Sequence, residues 1–420
     1  MQQKRPLHHL ITTLAFIGLV TPAIAGPQHA PKGTSSPAHA LPSAVKAKPL
    51  NDTVSRGLNW LVEHQLADGG WGQGEESARM RQQIGEVAAQ SNVADTAMAT
   101  LSLLRAGSTP SAGQYAPNIN RGLDFVLSQI EASDRDSLWV TSVRGTRVQS
   151  KIGPYVGTFL SAQLLAEVKG KMASIARNKR VEAALAKVLH KMETNQREDG
   201  GYTGRGWAPV LSQALAVKGT NRAFQLGATV SREMRDRSAK WAAAKFDQKN
   251  GTFSSAGSAG IDLYGTAATV GGLGDSALSD DLEAEDVAKM AVNAPTESGR
   301  AKAKTQLARM AETKRVQKAA NTALVARMSD QKFMQGFGSN GGEEFLSYML
   351  VSETLMAQGG DEWARWDAAM ARNLGHVQNG DGSWTGHHCI TGRTFCTAAA
   401  LLVLMADRAP VPLAKEMSRG

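Results

Sequence analysis

The stretch Gln65-Leu-Ala-Asp-Gly-Gly-Trp71 is the first of four copies of one pattern. The others are Gln196-Arg-Glu-Asp-Gly-Gly-Tyr202, Gln248-Lys-Asn-Gly-Thr-Phe253 and Gln378-Asn-Gly-Asp-Gly-Ser-Trp384. Glycine takes the positive-φ turn after a helix, and an Asp or Asn side chain binds local backbone donors. The ring then covers the turn, and the Gln satisfies backbone groups left open at a helix end. The pattern therefore predicts a structural turn.

Two further segments, 129–139 and 335–342, carry degenerate versions of the pattern. Six units of roughly 50 to 80 residues result, a spacing in the range of helical-hairpin repeats or somewhat longer. The chain is therefore expected to repeat one supersecondary unit about six times.

Each copy lies between two helical patterns of different character. The stretch before the first copy is amphipathic, with Leu58, Leu61 and Val62 at helical spacing. The stretches after the copies are apolar around most of the helix surface, which indicates burial, and are expected to begin near Asp95, Thr158, Trp207, Gly265, Phe345 and Thr394. The sequence therefore predicts an all-α fold over 50–410, with an outer ring of amphipathic helices around an inner ring of apolar ones.

The pattern resembles the Gln-Trp repeat of squalene and oxidosqualene cyclases and the repeats of protein prenyltransferase β subunits. The runs 336–348 and 379–396 are most similar to bacterial secreted proteins with prenyltransferase/squalene oxidase repeats. The resemblance covers about residues 52 to 408 and implies an α/α toroid.

The motifs that carry chemistry in these families are missing. No Asp-x-Asp-Asp motif occurs, and only 5% of the residues are aromatic, whereas a polycyclising cavity stabilises cations with ring faces. The prenyltransferase resemblance implies a zinc ligand set of Asp, Cys and His. The nearest place, Glu343-Glu344-Phe345, lacks the Cys, and Gly392 stands where the pattern implies a His before Cys396. We therefore predict neither chemistry, and no metal or cofactor.

Neither end of the chain is expected to be part of the folded domain. Lys4 and Arg5 precede the apolar run 10–20 and a small-residue cleavage site at 23–25, a pattern typical of a secretory signal peptide. We predict a signal peptide over 1–25, a flexible linker over 26–49, a C-terminal tail over 411–420, and a periplasmic or secreted protein that does not span the membrane. A net charge of +9 is too small to indicate nucleic acid, although association with an envelope or surface stays open.

The chain has two cysteines, Cys389 and Cys396. In an oxidising compartment such a pair favours a disulfide that braces the last loop. A metal or nucleophilic thiol and two inert thiols are the alternatives.

The starts of the inner helices are expected to gather at one mouth of the ring. Carboxylates and imidazoles in a concave site are typical of acid and base chemistry, so the catalytic candidates are Glu343, Glu344, His387, His388 and Arg393. The ligand-binding candidates are Asp95, Arg205, Asp262 and Arg393, and Arg144 and Arg147 are further cations for an anionic ligand.

Three functions follow from these observations. The first is binding of an unknown ligand (a lipid or isoprenoid, a glycan or a peptide) in the toroid cavity or at its mouth. The second is a hydrolase or lyase that uses the carboxylates and imidazoles of the mouth. The third is an envelope scaffold whose charged segment 280–327 holds protein partners.

Overall fold

The computed structural model describes residues 45–75 and 89–410. The contacts divide the chain into Met1–His39 and Ala40–Gly420, and the described residues all fall in the second unit. The predicted signal peptide, most of the predicted linker and the predicted C-terminal tail lie outside the described residues and stay predictions. None of the helices in 45–75 and 89–410 has both the length and the apolar character needed to cross a bilayer.

Most of the described residues lie in helices, and the main helices fall into two sets. The outer helices are α1 (Asp52–Glu63), α3 (Ala116–Ala132), α6 (Ile175–Asn195), α8 (Arg232–Ala243), α10 (Glu297–Arg327) and α13 (Gly360–His376). The inner helices are α2 (Val93–Arg105), α5 (Val156–Val168), α7 (Pro209–Gln225), α9 (Asp262–Asn293), α12 (Gly342–Gln358) and α14 (Arg393–Leu404). The short pieces are α4 (Arg147–Ile152), α11 (Gln331–Gln335), a 3-10 turn (Ala406–Arg408) and the strands β1 (Phe246–Asp247) and β2 (Thr252–Phe253).

The six inner helices close into a ring. Each packs on the next along the chain, and α14 returns to pack on α2. Every outer helix packs on the inner helix that precedes it in the chain, and α1 packs on the last inner helix, α14. The predicted all-α toroid of about six hairpins is confirmed, and the inner helices begin within three residues of the predicted positions.

Burial separates the two rings as the sequence pattern predicts. All residues of α5 are buried, whereas α1 buries one face that includes Leu58 and Leu61. The inner helices approach each other closely where small residues allow it. A Cβ at Gly219 of α7, for example, would lie 2.7 Å from the backbone oxygen of Phe159 on α5, so that contact requires glycine.

The Trp and Gln of the repeat play the predicted structural role. The indole Nε1 of Trp71 donates to Leu61 O at 2.8 Å, and its backbone N–H donates to Thr96 Oγ1 at 2.9 Å. Gln65 Nε2 donates to Gly69 O in its own turn at 2.7 Å and to Asn118 O in the next outer helix at 2.9 Å. The turn therefore joins one hairpin to the next.

The last copy uses the same bonds to close the ring. Trp384 Nε1 donates to Leu374 O at 2.9 Å. Gln378 Nε2 donates to Gly382 O and to Thr53 O, both at 2.8 Å. Since Thr53 lies in α1, this glutamine ties the last repeat to the first.

The third copy departs from the prediction. Residues 246–253 form the antiparallel pair β1–β2, with Phe246 opposite Phe253. Gln248 is partly buried and donates to Glu312 instead of closing a helix end. The shorter spacing between Asn-Gly and the ring favours a hairpin loop here.

The charged segment 280–327 forms the end of α9 and all of α10. These two helices pair with each other around a small core of their own, formed by Val287, Ala291, Ala303 and Met310. Ion pairs join the helices at Asp280–Arg309 and Asp281–Lys314. The segment is a long helical hairpin with solvated charged faces.

A layer of buried ion pairs crosses the interior of the inner ring. We call this set the charge layer; it consists of Arg105, Glu167, Lys218, Arg222, Asp275 and Glu353, each at most 6% exposed. Lys218 Nζ lies 2.8 Å from Glu353 Oε2 and 3.0 Å from Asp275 Oδ2. Burial alone would raise the pKa of Glu353, but Lys218, Arg222 and Arg105 lower it to about 2. The ring interior is therefore polar and ionised at this level.

Candidate functional site

The starts of the inner helices lie together, as predicted. Gly342 N donates to Ile390 O, just before α14, at 2.9 Å, and Val210 N donates to Gly257 O, shortly before α9, at 3.0 Å. We call this end of the ring the mouth. Glu353 follows Glu343 on α12 by ten residues, so the charge layer lies about 15 Å further along the helix.

Two carboxylates lie in the first turn of α12, and both are buried. Glu343 and Glu344 are both 0% exposed. Acids in a first helical turn are favoured by the helix dipole, but complete burial of two adjacent carboxylates is costly unless both are compensated.

Glu344 is held through one of its oxygens. Its Oε1 accepts from the Tyr264 hydroxyl at 2.5 Å and from Phe337 N at 2.9 Å. Burial and the neighbouring Glu344 raise the pKa of Tyr264 well above its usual value, so the phenol stays a donor. The other oxygen, Oε2, has no hydrogen-bond partner among the described residues.

Glu343 is held in the same manner. Its Oε2 accepts from Ile390 N at 3.1 Å, and its buried Oε1 has no hydrogen-bond partner in the described part of the chain. Burial and Glu344 raise the pKa of Glu343 to about 8. Glu343 therefore carries a proton at neutral pH.

His388 faces these two carboxylates from the loop before α14. Its Nε2 lies 3.4 Å from Glu344 Oε2, and neither ring nitrogen makes a hydrogen bond within 45–75 and 89–410. Burial lowers the pKa of His388 against the attraction of Glu344. The imidazole is neutral at pH 7 and offers a lone pair. We call Glu343, Glu344 and His388 the acid–histidine cluster.

The glycine-rich turn 336–342 makes room for the cluster. A Cβ at Gly341 would lie 2.6 Å from Glu344 Oε2 and 2.7 Å from His388 Cε1, and one at Gly338 would lie 2.8 Å from His388 Cδ2. Any larger residue at these two positions would displace the imidazole or the carboxylate. This turn is part of the run 336–348, in which the family resemblance is strongest, and its glycines leave the space that the acid–histidine cluster occupies.

The prediction of a disulfide between Cys389 and Cys396 is wrong, because the two sulfurs are not bonded to each other. Cys396 lies on the buried wall of α14, and its thiol contacts Ile390 O at 3.5 Å. Cys389 lies in the turn with φ +53°, and burial together with Glu343 raises its pKa to about 12. A thiol in that state is a poor nucleophile at neutral pH.

The other predicted mouth residues do not join the cluster. Asp95 is buried at the start of α2, where its Oδ2 accepts from Asn92 Nδ2 at 2.6 Å. Asp262 pairs with Arg327 of the outer ring. Arg393 pairs with Asp381 and Glu75.

The remaining candidates are spread around the mouth. His387 and Arg205 are exposed. Arg144 stacks on Trp139 at 3.5 Å from the ring centroid, and Arg147 is buried on α4. From the predicted set, the structure thus brings together Glu343, Glu344 and His388. His387 acts electrostatically on His388, and Arg147 acts on the neighbouring Cys389.

Several residues beside the cluster were not singled out from the sequence. Tyr264 holds Glu344, the Phe337 ring lies 4.9 Å from His388, and Trp207 lies 5.3 Å from Phe337. Lys151 of α4 supplies a positive charge that acts on Glu343 and His388. Tyr264 directly follows Leu263 in an apolar helix start, and that pattern alone gives no signal of a polar contact.

The donor atoms of the acid–histidine cluster fit a cation better than an anion. One oxygen of each glutamate and one ring nitrogen of His388 all lie within 4.8 Å of one another. The prenyltransferase set of Asp, Cys and His is not what this geometry offers, because Cys396 packs against Ile390 O in the wall of α14. The residues present are two carboxylates and one imidazole.

The raised pKa of Glu343 makes stability depend on pH. Its folded pKa of about 8 lies above the ordinary 4.5, so the folded chain holds a proton that the unfolded chain loses. Stability should fall as pH rises from about 4.5 to about 8 and level off above. Glu343→Gln should remove this slope and add roughly 1–3 kcal/mol at pH 8.

Denaturant unfolding of both proteins from pH 5 to 9 measures this effect. Glu362→Gln, at an exposed ion pair with Arg365, is the control and should keep the wild-type slope. An unchanged slope in Glu343→Gln would contradict the assigned protonation.

The ring of six hairpins and the polar cluster at its mouth define an α/α toroid with one buried acid–histidine cluster. Residues 32–145 match the family model of the squalene-hopene cyclase C-terminal domain. The match covers less than half of the chain. Over these residues it supports the likeness to squalene-hopene cyclases and prenyltransferase-like α/α toroids that the repeats indicate, and the runs 336–348 and 379–396 lie outside it. No curated protein matches the chain.

Proposed function

We propose that this chain is an exported toroid that binds a polar ligand at its mouth and performs neither polyene cyclisation nor prenyl transfer. One observation carries the proposal. Glu343 Oε1, Glu344 Oε2 and His388 Nε2 are buried and make no hydrogen bond within the described residues, and the three side chains offer ligand atoms within 4.8 Å of one another. Buried polar atoms are normally satisfied, so three convergent exceptions indicate that a ligand completes them.

The charge layer argues for a polar ligand over a lipid. An isoprenoid chain that entered deep along the inner helices would meet Lys218, Arg222 and Glu353, whose charges are already desolvated and paired. Apolar chains gain nothing from such a surface. A glycan or a peptide that presents a cation or hydroxyl donors to the carboxylates suits the mouth better.

Native mass spectrometry of the protein purified from its own host tests this proposal. We expect a retained polar molecule on the wild type and its loss from His388→Ala. His190→Ala is the matched control, because His190 lies on α6 and pairs with the exposed Asp136. Retention of a lipid, or equal occupancy in His388→Ala, would contradict the proposal.

Acid and base chemistry at the same cluster is the second candidate. Glu343 is protonated at neutral pH while His388 is neutral, which is the pairing that a general acid and a general base require. A hydrolase or lyase would then lose turnover in Glu343→Gln while still binding its substrate. Equal loss of binding and turnover would leave binding as the function.

A further inference from the structure

We propose that Glu343, Glu344 and His388 bind a first-row divalent transition-metal ion at the mouth. This inference rests on the proposed function, because it names what completes the unsatisfied atoms of that site. The ligand atoms lie within 4.8 Å of one another, and His388 Nε2 is 3.4 Å from Glu344 Oε2. Bond lengths of roughly 2.0–2.2 Å place donor atoms about 3–4 Å apart, so small side-chain shifts suffice.

Each carboxylate is anchored by one oxygen and presents the other. Glu344 Oε1 is fixed by Tyr264 and Phe337 N, and Glu343 Oε2 is fixed by Ile390 N. Outer contacts of this kind orient metal ligands and are a normal part of metal sites. The presented oxygens are the ones without a hydrogen bond among the described residues.

A cation resolves the electrostatic problem of the site. Two adjacent carboxylates at 0% exposure repel each other unless one is protonated or a cation lies between them. Lys151 acts on both Glu343 and His388, but no ion pair joins it to either glutamate in the described part of the chain. A divalent ion bound between the two carboxylates would balance both negative charges.

The donor set narrows the choice of ion. Two carboxylate oxygens and one imidazole nitrogen suit zinc or manganese. Calcium takes 6–8 oxygen ligands and magnesium keeps several waters, so neither gains from the imidazole. The sulfur of Cys389 is not within the 4.8 Å group. Three protein donors leave a coordination position open to a ligand at the mouth.

Calorimetric titration of the chelator-treated full chain with zinc and, separately, manganese tests the inference. We expect about one ion per chain for at least one metal, with a higher melting temperature when loaded. Glu344→Gln and His388→Ala should weaken binding by at least about tenfold, and Tyr264→Phe by about tenfold through loss of orientation. His190→Ala should bind as the wild type.

Two results would overturn the inference: neither ion binding the wild type, or unchanged affinity in both Glu344→Gln and His388→Ala. Circular dichroism melts of the same variants establish that they fold. If neither ion binds but host-purified protein retains a polar organic molecule that His388→Ala loses, the metal is refuted and the proposed function stands. If both fail, both are refuted.

Discussion

Glu353→Gln is expected to lower the free energy of unfolding by roughly 3–5 kcal/mol, the cost of removing one partner from a buried ion network. Glu353 contacts Lys218 at 2.8 Å, Arg222 at 3.4 Å and Arg105 at 3.9 Å. These cations stay buried when the carboxylate is lost, and only two acids remain for three positive charges. Denaturant unfolding at pH 7 measures the loss.

Glu312→Gln is the matched control for this experiment. Glu312 pairs with Arg315 three residues away, and both side chains are at least half exposed. Such surface pairs contribute about 0–1 kcal/mol. A change in Glu353→Gln as small as that in Glu312→Gln would show that the charge layer does not hold the inner ring together.

Trp384→Ala is expected to cost roughly 3–5 kcal/mol, the range for deleting a large buried aromatic side chain. Trp384 is 0% exposed, and its indole donates to Leu374 O. The indole also packs where Gly57 of α1 leaves space, since a Cβ there would lie 2.7 Å from Trp384 Cζ3. The substitution therefore opens a cavity between the last and first repeats.

Trp71→Ala tests whether the effect belongs to the repeat or to ring closure. Trp71 is equally buried and donates to Leu61 O. Both variants should lose similar stability in thermal and denaturant unfolding. Trp139→Ala is the control, because that ring is only partly buried and stacks on Arg144. Losses within error for Trp71 and Trp384 would contradict the structural reading of the repeat.

The fold could be predicted from the sequence because each repeat contains the local signals for its own turn and helices. The Asp-Gly step predicts the turn, and Gly69 and Gly382 indeed take φ of +88° and +91°. The apolar periods predict which helix lies inside. Closure of the ring could be predicted only from the number of units. Six units follow one another, and this number brings α14 back into contact with α2.

The acid–histidine cluster was only partly predictable, because the turn pattern does not determine the direction in which a side chain points. Glu343 and Glu344 follow a glycine-rich turn and were expected at the mouth. Asp262 is the first residue of the inner helix α9, but it pairs with Arg327 of the outer ring. The role of Tyr264 depends on contact between helices 80 residues apart in the chain, and no local pattern encodes that contact.

The charge layer was not predicted either. Arg105, Glu167 and Glu353 stand singly in apolar helices, where a lone charge gives no indication of its partner. Their compensation depends on the ring bringing three inner helices to one level.

An experimental structure of the host-purified protein, with anomalous scattering data, tests the central claim most directly. The account predicts non-protein density in contact with Glu343 Oε1, Glu344 Oε2 and His388, with an anomalous peak if the bound species is a transition metal. Direct hydrogen bonds among these three side chains, with no added density between them, would contradict the claim that the mouth is a binding site.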